Sequence, residues 1–253
     1  MVDRCLSLAV AVIVFIPACS CSRSRDDLDY DFEVEQTWVT DDFGGTIVQF
    51  ASVPYRPQNT ALLRAEVVTA GRVDSRSVLE LGSGTGYFAI QCATEGAKQV
   101  VLLVTDRATH ACVRYNVAVA MQDMVIESRL VDSGVDSVLA AIAPKDQFDY
   151  VVVNTEMTLD DALIHSAIEK LPNWLRGGGK GWVICENQPV IDLVTSRCQS
   201  LGFDVEVMQY TDPAAMVDPE GFPQTLQIDP FTPAAKAIGN DAAIGGESGD
   251  DGN

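Results

Sequence analysis

Positive charge is what this sequence has least of. Its 17 Lys and Arg stand against 36 Asp and Glu, a formal net charge of −19. No basic stripe breaks that balance, which leaves room only for a small local basic patch. Phosphate backbones need neutralising Lys and Arg, so nucleic acid is disfavoured as a partner. Histidine is almost missing: His110 and His165, the only 2, fall on different expected helices without Cys or carboxylate partners at ligand spacing. No metal site is expected. The 7 cysteines are odd in number and follow no disulfide framework. Cys92, Cys112, Cys185 and Cys198 fall inside expected helices or strands, as reduced core residues do. No G-x-S-x-G frame surrounds Ser83, which excludes a hydrolase nucleophile elbow.

A membrane-length apolar run is also lacking. The N-terminal run, Leu6 to Ile16, falls short of the roughly 20 residues of a membrane span but suits the apolar region of a signal peptide. Its end, Ile16-Pro17-Ala18-Cys19, resembles the lipobox of bacterial lipoproteins, although Pro17 departs from it. Three readings of the segment stand: a lipoprotein signal, a short membrane-surface anchor, or a start placed too far upstream. The chain is then cytoplasmic if this segment is no signal, and membrane-anchored or exported if it is.

What is present is a globular composition, 47% hydrophobic and 21% charged, enough apolar surface to offset chain entropy. We expect one domain with appendages: an anchor or signal over 1–25, an acidic segment with a hairpin and leading helix over 26–72, the main domain over 73–233 and a disordered Gly/Asp-rich tail over 234–253. The stretch 26–42 carries eight acids and no base. Phe32 to Val39 and Thr46 to Ala51 alternate as hairpin strands do, and Asn59 or Thr60 can cap a helix from Ala61 to about Ala70. From Val78 onward, strand-length apolar runs at 78–81, 100–105, 126–131, 150–153 and 182–185 alternate with helical stretches at 87–94, 109–121, 135–143, 160–171 and 189–201. The turn before the last of these strands is "LRGGGKG". Phe203 to Tyr210 reads as an edge strand and Thr225 to Asp229 as a short final one. The fold class is therefore α/β: a doubly wound, Rossmann-like, mostly parallel sheet with helices on both faces, antiparallel final strands and an N-terminal hairpin extension.

In such sheets ligands bind at the carboxyl ends of the strands. Here Ser77 to Phe88, "SVLELGSGTGYF", places Gly82, Gly84 and Gly86 after an acid, Glu80. A dinucleotide turn, G-x-G-x-x-G, would need glycine where Tyr87 stands, and a P-loop would need Lys-Ser/Thr where Tyr87-Phe88 follows. Both are excluded. The pattern E-x-G-x-G-x-G, with the order of elements over roughly 77–210, resembles the class I S-adenosylmethionine-dependent methyltransferases. The resemblance implies that Gly82, Ser83, Gly84 and Gly86 form the cofactor turn and that Glu80 orients it and the methionine end. It implies that Asp106, ending "VVLLVTD", takes the ribose hydroxyls and that Asp132, in "ESRLVDSG", takes the adenine amine. Capping of the next helix by Asp106, and a plain turn role for Asp132, are the structural alternatives. A sulfonium donor with a neutral nucleoside suits carboxylates and carbonyls, and methyl transfer rests on positioning, without metal or covalent nucleophile.

For the acceptor, "VPYRPQNTALL" looks like the segment preceding the first motif of the release-factor glutamine methyltransferases. "EGAKQVVLLVTDRATHACVRYNVAV" is similar to the ribosomal-protein lysine methyltransferases. Asn154, ending "FDYVVVN", stands where nitrogen-directed relatives grip an amino group, but Thr155-Glu156-Met157 replaces their Pro-Pro-aromatic. The expectation is transfer to a nitrogen of a protein or small molecule, with Asn154 at the reacting centre. The alternative is a membrane-tethered scaffold that kept the fold without catalysis.

Overall fold

A computed structural model describes residues 25–155, 160–208 and 223–233. The expected N-terminal signal, apart from Arg25, most of the loop after Tyr210 and the 234–253 tail lie outside the described residues. A hairpin leads, β1 (Val34–Thr40) antiparallel to β2 (Gly45–Phe50). The leading helix is composite: a 3-10 turn Pro57–Thr60, then α1 (Ala61–Leu63), then a wide π turn Arg64–Thr69. Neither Asn59 nor Thr60 caps it with a side chain; Thr60 Oγ1 donates back to Pro57 O.

The alternation that follows is β3 (Ser77–Leu81), α2 (Tyr87–Thr94), β4 (Gln99–Val104), α3 (Arg107–Val119), β5 (Ile126–Leu130), α4 (Val135–Ala140), β6 (Phe148–Asn154), α5 (Asp161–Trp174), β7 (Leu175–Cys185), α6 (Gln188–Leu201), β8 (Phe203–Val207) and β9 (Gln224–Pro233). The seven strands from β3 order as β5-β4-β3-β6-β7-β9-β8. The first five of that order run parallel, and β9 pairs antiparallel with both β7 and β8.

Period-2 alternation decides which residue serves which layer. Leu79, Leu81, Val101, Leu103, Val151 and Val153 pack with α4, α5 and α6 on one face. Val78, Val100, Leu102, Val152, Trp182 and Ile184 pack with α2, α3 and the leading helix on the other. Cys92, Cys185 and Cys198 are free and buried within these layers, and Cys112, also free, is buried in a third cluster with Val48 and Phe50. Among the described residues no helix is long and apolar enough to cross a membrane, and no group of three or more His, Cys, Asp and Glu is placed to hold a metal ion.

Two expectations need correction. "LRGGGKG" is not a turn: α5 runs on through Pro172 to Trp174, and β7 starts at Leu175. Leu171 and Trp174 are buried and hold the last helical turn in place. The glycines then serve a bulged strand start, where a Cβ on Gly179 would stand 2.8 Å from the Asp149 carbonyl; glycine in a strand often marks such close backbone approach. The final strand is also longer than 225–229; it lies between β7 and β8 and pairs antiparallel with β8, which takes the sheet edge as expected.

The acidic segment docks along α3. Asp27 pairs with Arg25 and with Arg114, each at under 2.8 Å, and Asp29 pairs with Arg107 at 2.6 Å. The Tyr30 ring meets Tyr115 edge-on at 6.3 Å, and Phe32 stacks on Phe50 at 6.1 Å. Its charge density is thus partly matched by the few arginines on one helix.

Candidate functional site

The carboxyl ends of β3, β4, β5 and β6 converge on the glycine turn. Gly82, Gly84 and Gly86 have φ of 82°, 52° and 80°, the left-handed region that residues with a Cβ avoid. The Gly86 N–H donates to Ser83 O at 2.9 Å, and Ile90 N–H donates to Gly86 O at 3.0 Å, so the turn leads directly into α2. A Cβ on Gly86 would sit 3.4 Å from both methyls of Val113 on α3. That is ordinary van der Waals contact, so the left-handed backbone is what the position asks of glycine. Gly86→Ala should therefore cost about 1 to 2 kcal/mol in chemical denaturation, mostly from the left-handed backbone.

Three cavities line up along these strand ends. The middle one, about 290 Å³, is lined by Gly82, Ser83, Gly84 and Asp106, with Ser52 and Pro54 contributed from after the hairpin. An open cleft of about 840 Å³ adjoins it through Thr105 and holds Asp132, Arg107 and Gly134. On the other side, sharing Ser83 and Pro54, a small cavity of about 20 Å³ is lined by Tyr55, Glu80, Tyr87 and Asn154. So Gly82, Ser83, Gly84 and Asp106 come together as expected from the sequence. Asp132 stands one cavity away on one side, and Glu80 with Asn154 on the other. Gly86 lines none of the three and acts through the backbone.

Asp106 does cap α3: its Oδ1 accepts from the Thr109 N–H at 2.7 Å. Among the described residues no hydrogen bond to its other oxygen is formed, and Asp106 lines the middle cavity. Asp132 lies exposed just past β5.

The small cavity has unusual chemistry. Glu80 is 1% exposed, Ser83 and Asn154 are buried, and Glu80 Oε2, Ser83 Oγ and Asn154 Oδ1 have no hydrogen-bond partner among the described residues. Unpaired buried acceptors are costly, and a native structure keeps them for a reason. Burial alone pushes the Glu80 carboxyl up to about 8 from 4.5. Glu80 sits between Leu102 and Val152 in the parallel ladder, which accounts for its isolation from water.

Several residues of the site carried no sequence motif. Tyr87, read only as the wrong residue for a dinucleotide turn, donates to Asp42 and accepts from Arg64 Nη1 at 3.0 Å; Thr40 Oγ1 lies 3.2 Å from its hydroxyl. Arg64 also stacks over its ring at 4.8 Å. This network joins the hairpin to the first residue of α2. Asn116 on α3 bonds both backbone groups of Val48 and also the Thr85 carbonyl. A polar residue four positions after Cys112, on the apolar stripe of a helix, was the available signal.

Compared with known proteins, residues 35–177 match the family described as lysine methyltransferase. The chain belongs to that family. The match covers more than half of the 253 residues and contains every candidate residue named above. No curated protein sequence matches the chain. In fold, this lysine methyltransferase family member is similar to the ribosomal protein L11 methylase of Lactobacillus delbrueckii subsp. bulgaricus, at 18% identity over 70% of this chain and 80% of that one, TM-score 0.51. It is similar also to the precorrin 8w decarboxylase of Methanobacterium thermoautotrophicum, at 16% identity over 76% and 98% of the two chains, TM-score 0.56. A third likeness is to a T. thermophilus 16S rRNA methyltransferase solved with AdoMet and guanosine, at 17% identity over 76% and 49%, TM-score 0.55. These likenesses show the class I methyltransferase fold, and S-adenosylmethionine is the cofactor. The residues present fit it: unpaired acceptors in the small cavity, which Arg56 also lines, suit an ammonium group, and no basic side chain lines the middle cavity, as a diphosphate would need.

Proposed function

We propose that this chain methylates the ε-amino group of lysine in a protein, and that its donor lies along the three cavities. The carrying observation is the convergence of Glu80 Oε2, Ser83 Oγ and Asn154 Oδ1, three buried unpaired oxygens, in one cavity beside the glycine turn. The family described as lysine methyltransferase supports the choice of amine.

In this reading Gly82, Ser83, Gly84 and Gly86 shape the turn around the donor, and Glu80 holds its α-ammonium. Asp106 offers its free oxygen to the ribose hydroxyls. Asp132 takes the adenine amine at the open cleft. When bound, S-adenosylmethionine supplies an electrophilic methyl group on a sulfonium sulfur. Asn154 Oδ1 accepts one N–H of the neutral acceptor amine, which aims the nitrogen lone pair at the reacting centre. The acidic surface favours a cationic partner over nucleic acid.

Asp106 separates its two tasks by substitution. Asn caps helices about as well as Asp, so Asp106→Asn should leave thermal stability within about 0.5 kcal/mol while weakening S-adenosylmethionine binding. Asp106→Ala should lose the cap as well, roughly 1 kcal/mol of stability, with binding weakened by about 1 to 3 kcal/mol. Calorimetry and thermal melts on the full-length protein read both. Unchanged affinity in Asp106→Asn would leave capping as its whole role. The acceptor is tested with isotopically labelled S-adenosylmethionine and a library of lysine-centred peptides. Label recovered as Nε-methyllysine is the expected result; label confined to carboxyl, amide or hydroxyl positions, or no transfer to any peptide, would refute it.

A further inference from the structure

Among the described residues the hairpin has an unpaired strand edge, and its Trp38 reaches Tyr55 at the small cavity. Val48 turns both backbone groups away from β1, donating to Asn116 Oδ1 and accepting from Asn116 Nδ2, each at 2.8 Å. Thr37 faces Val48 in the ladder, and antiparallel partners that do not exchange bonds both point outward. Thr37, and by the same two-residue repeat Val39, therefore offer N–H and C=O on the free side of β1. Among the described residues β1 pairs only with β2. The edge is also held rigidly, because Asn116 is fully buried and ties β2 to α3 and to the glycine turn.

Its side chains have one character. Val39 is 85% exposed and Trp38 36%, while Glu33, Glu35 and Asp41 are exposed acids with no base nearby in sequence. Trp38 leads inward: its ring lies 5.2 Å from Tyr55, and Tyr55 lines the small cavity with Glu80 and Asn154. Tyr55 in turn meets Tyr87 edge-on at 5.7 Å. An acidic strand edge thus continues through two aromatic rings into the cavity.

We propose that the free edge of β1 receives a lysine- and arginine-rich segment of the acceptor protein as an added strand, and that Trp38 and Tyr55 form the wall along which its target lysine reaches Asn154. This rests on the lysine transfer proposed above. Main-chain bonds to Thr37 and Val39 provide affinity without regard to sequence, and the acids select basic flanks. A lysine opposite Trp38 projects from the same face as that ring, where cation–π attraction holds its stem and head.

The test uses full-length protein saturated with S-adenosylhomocysteine and three fluorescent peptides read by anisotropy. One is lysine-centred with Lys/Arg flanks, one has Glu/Asp flanks, and one has the basic flanks with its central lysine replaced by leucine. The basic peptide should bind at least roughly tenfold tighter than the acidic one, with affinity falling as salt rises. Trp38→Ala should weaken it roughly fivefold. The double variant Glu35→Lys with Asp41→Lys should weaken it roughly tenfold and flatten the salt dependence. Both variants should bind S-adenosylhomocysteine as the unmodified protein does, which shows that they fold. Equal affinity for acidic and basic flanks, unchanged binding of the basic peptide in both variants, or binding of no peptide while S-adenosylhomocysteine still binds, would overturn the proposal. Failure of the unmodified protein to bind S-adenosylhomocysteine would instead remove the site reading on which it rests.

Discussion

Glu80→Gln should weaken S-adenosylmethionine binding roughly 10- to 100-fold, the scale of a lost hydrogen bond to a charged group, while making the ligand-free protein more stable at alkaline pH. The sign follows from the raised pKa. Glu80 titrates near 4.5 in the unfolded chain and at about 8 when buried. Between those values the folded chain keeps a proton that the unfolded chain has released, so its contribution to stability declines as pH rises through that window. Below about 4.5 both states hold the proton and the cost vanishes. At ~1.4 kcal/mol per pH unit, the full loss above pH 8 amounts to a few kcal/mol, and Gln removes it. Thermal melts of the two proteins should therefore coincide near pH 4 and separate progressively toward pH 8.5, the variant melting higher. Binding should carry the mirror image. A cation beside Glu80 requires the ionised carboxylate, so affinity of the unmodified protein should rise from pH 6 toward 8, by at most about tenfold per unit. Equal melts at all pH values would mean that burial does not raise the Glu80 pKa, and affinity independent of pH below 8 would place the carboxyl outside the donor's reach.

Asn116→Ala should be the most destabilising single change in the hairpin region, by about 2 to 5 kcal/mol. Its amide makes three short bonds, from Val48 N–H and to Val48 O and Thr85 O, at 2.8, 2.8 and 2.9 Å. Alanine leaves those backbone groups buried without that partner, at roughly 1 to 3 kcal/mol for each group that finds no other; Cys112 Sγ still reaches Val48 O at 3.3 Å. The same residue joins hairpin, α3 and the glycine turn. Denaturant unfolding should show the loss, and hydrogen exchange should show it concentrated in β1, β2 and the turn. A surface-like effect below about 0.5 kcal/mol would mean that the hairpin is held by its apolar contacts alone.

Legibility followed the range of the interactions. The strand and helix alternation could be read because its signal is local periodicity, and the sheet that results packs its apolar runs on both faces. The cap at Asp106 could be read because it stands at a strand end before a helix. Asn116 could not, because its partners are 68 and 31 residues away in the chain and a lone Asn in a helix has many ordinary explanations. "LRGGGKG" was misread for a related reason: three glycines suggest a turn unless the close approach of the Asp149 carbonyl is known. The N-terminal signal and the Asn154–Met157 departure from Pro-Pro-aromatic fall wholly or partly outside the described residues.

By itself, the sequence determined the kind of ligand. Tyr87 in place of a third dinucleotide glycine and the scarcity of basic residues are local facts of composition and spacing that tell against a diphosphate, and the resemblance of the alternate glycines after an acid to the class I methyltransferase turn implies a cationic nucleoside donor. Only the tertiary structure decided how the acids differ. Asp106 keeps one oxygen in a helix cap, Asp132 faces solvent, and Glu80 is sealed between β4 and β6, where desolvation alone raises its pKa. Among the described residues the same packing leaves the outer edge of an acidic hairpin unpaired. Burial and strand pairing depend on neighbours brought from far along the chain, and those no local pattern records.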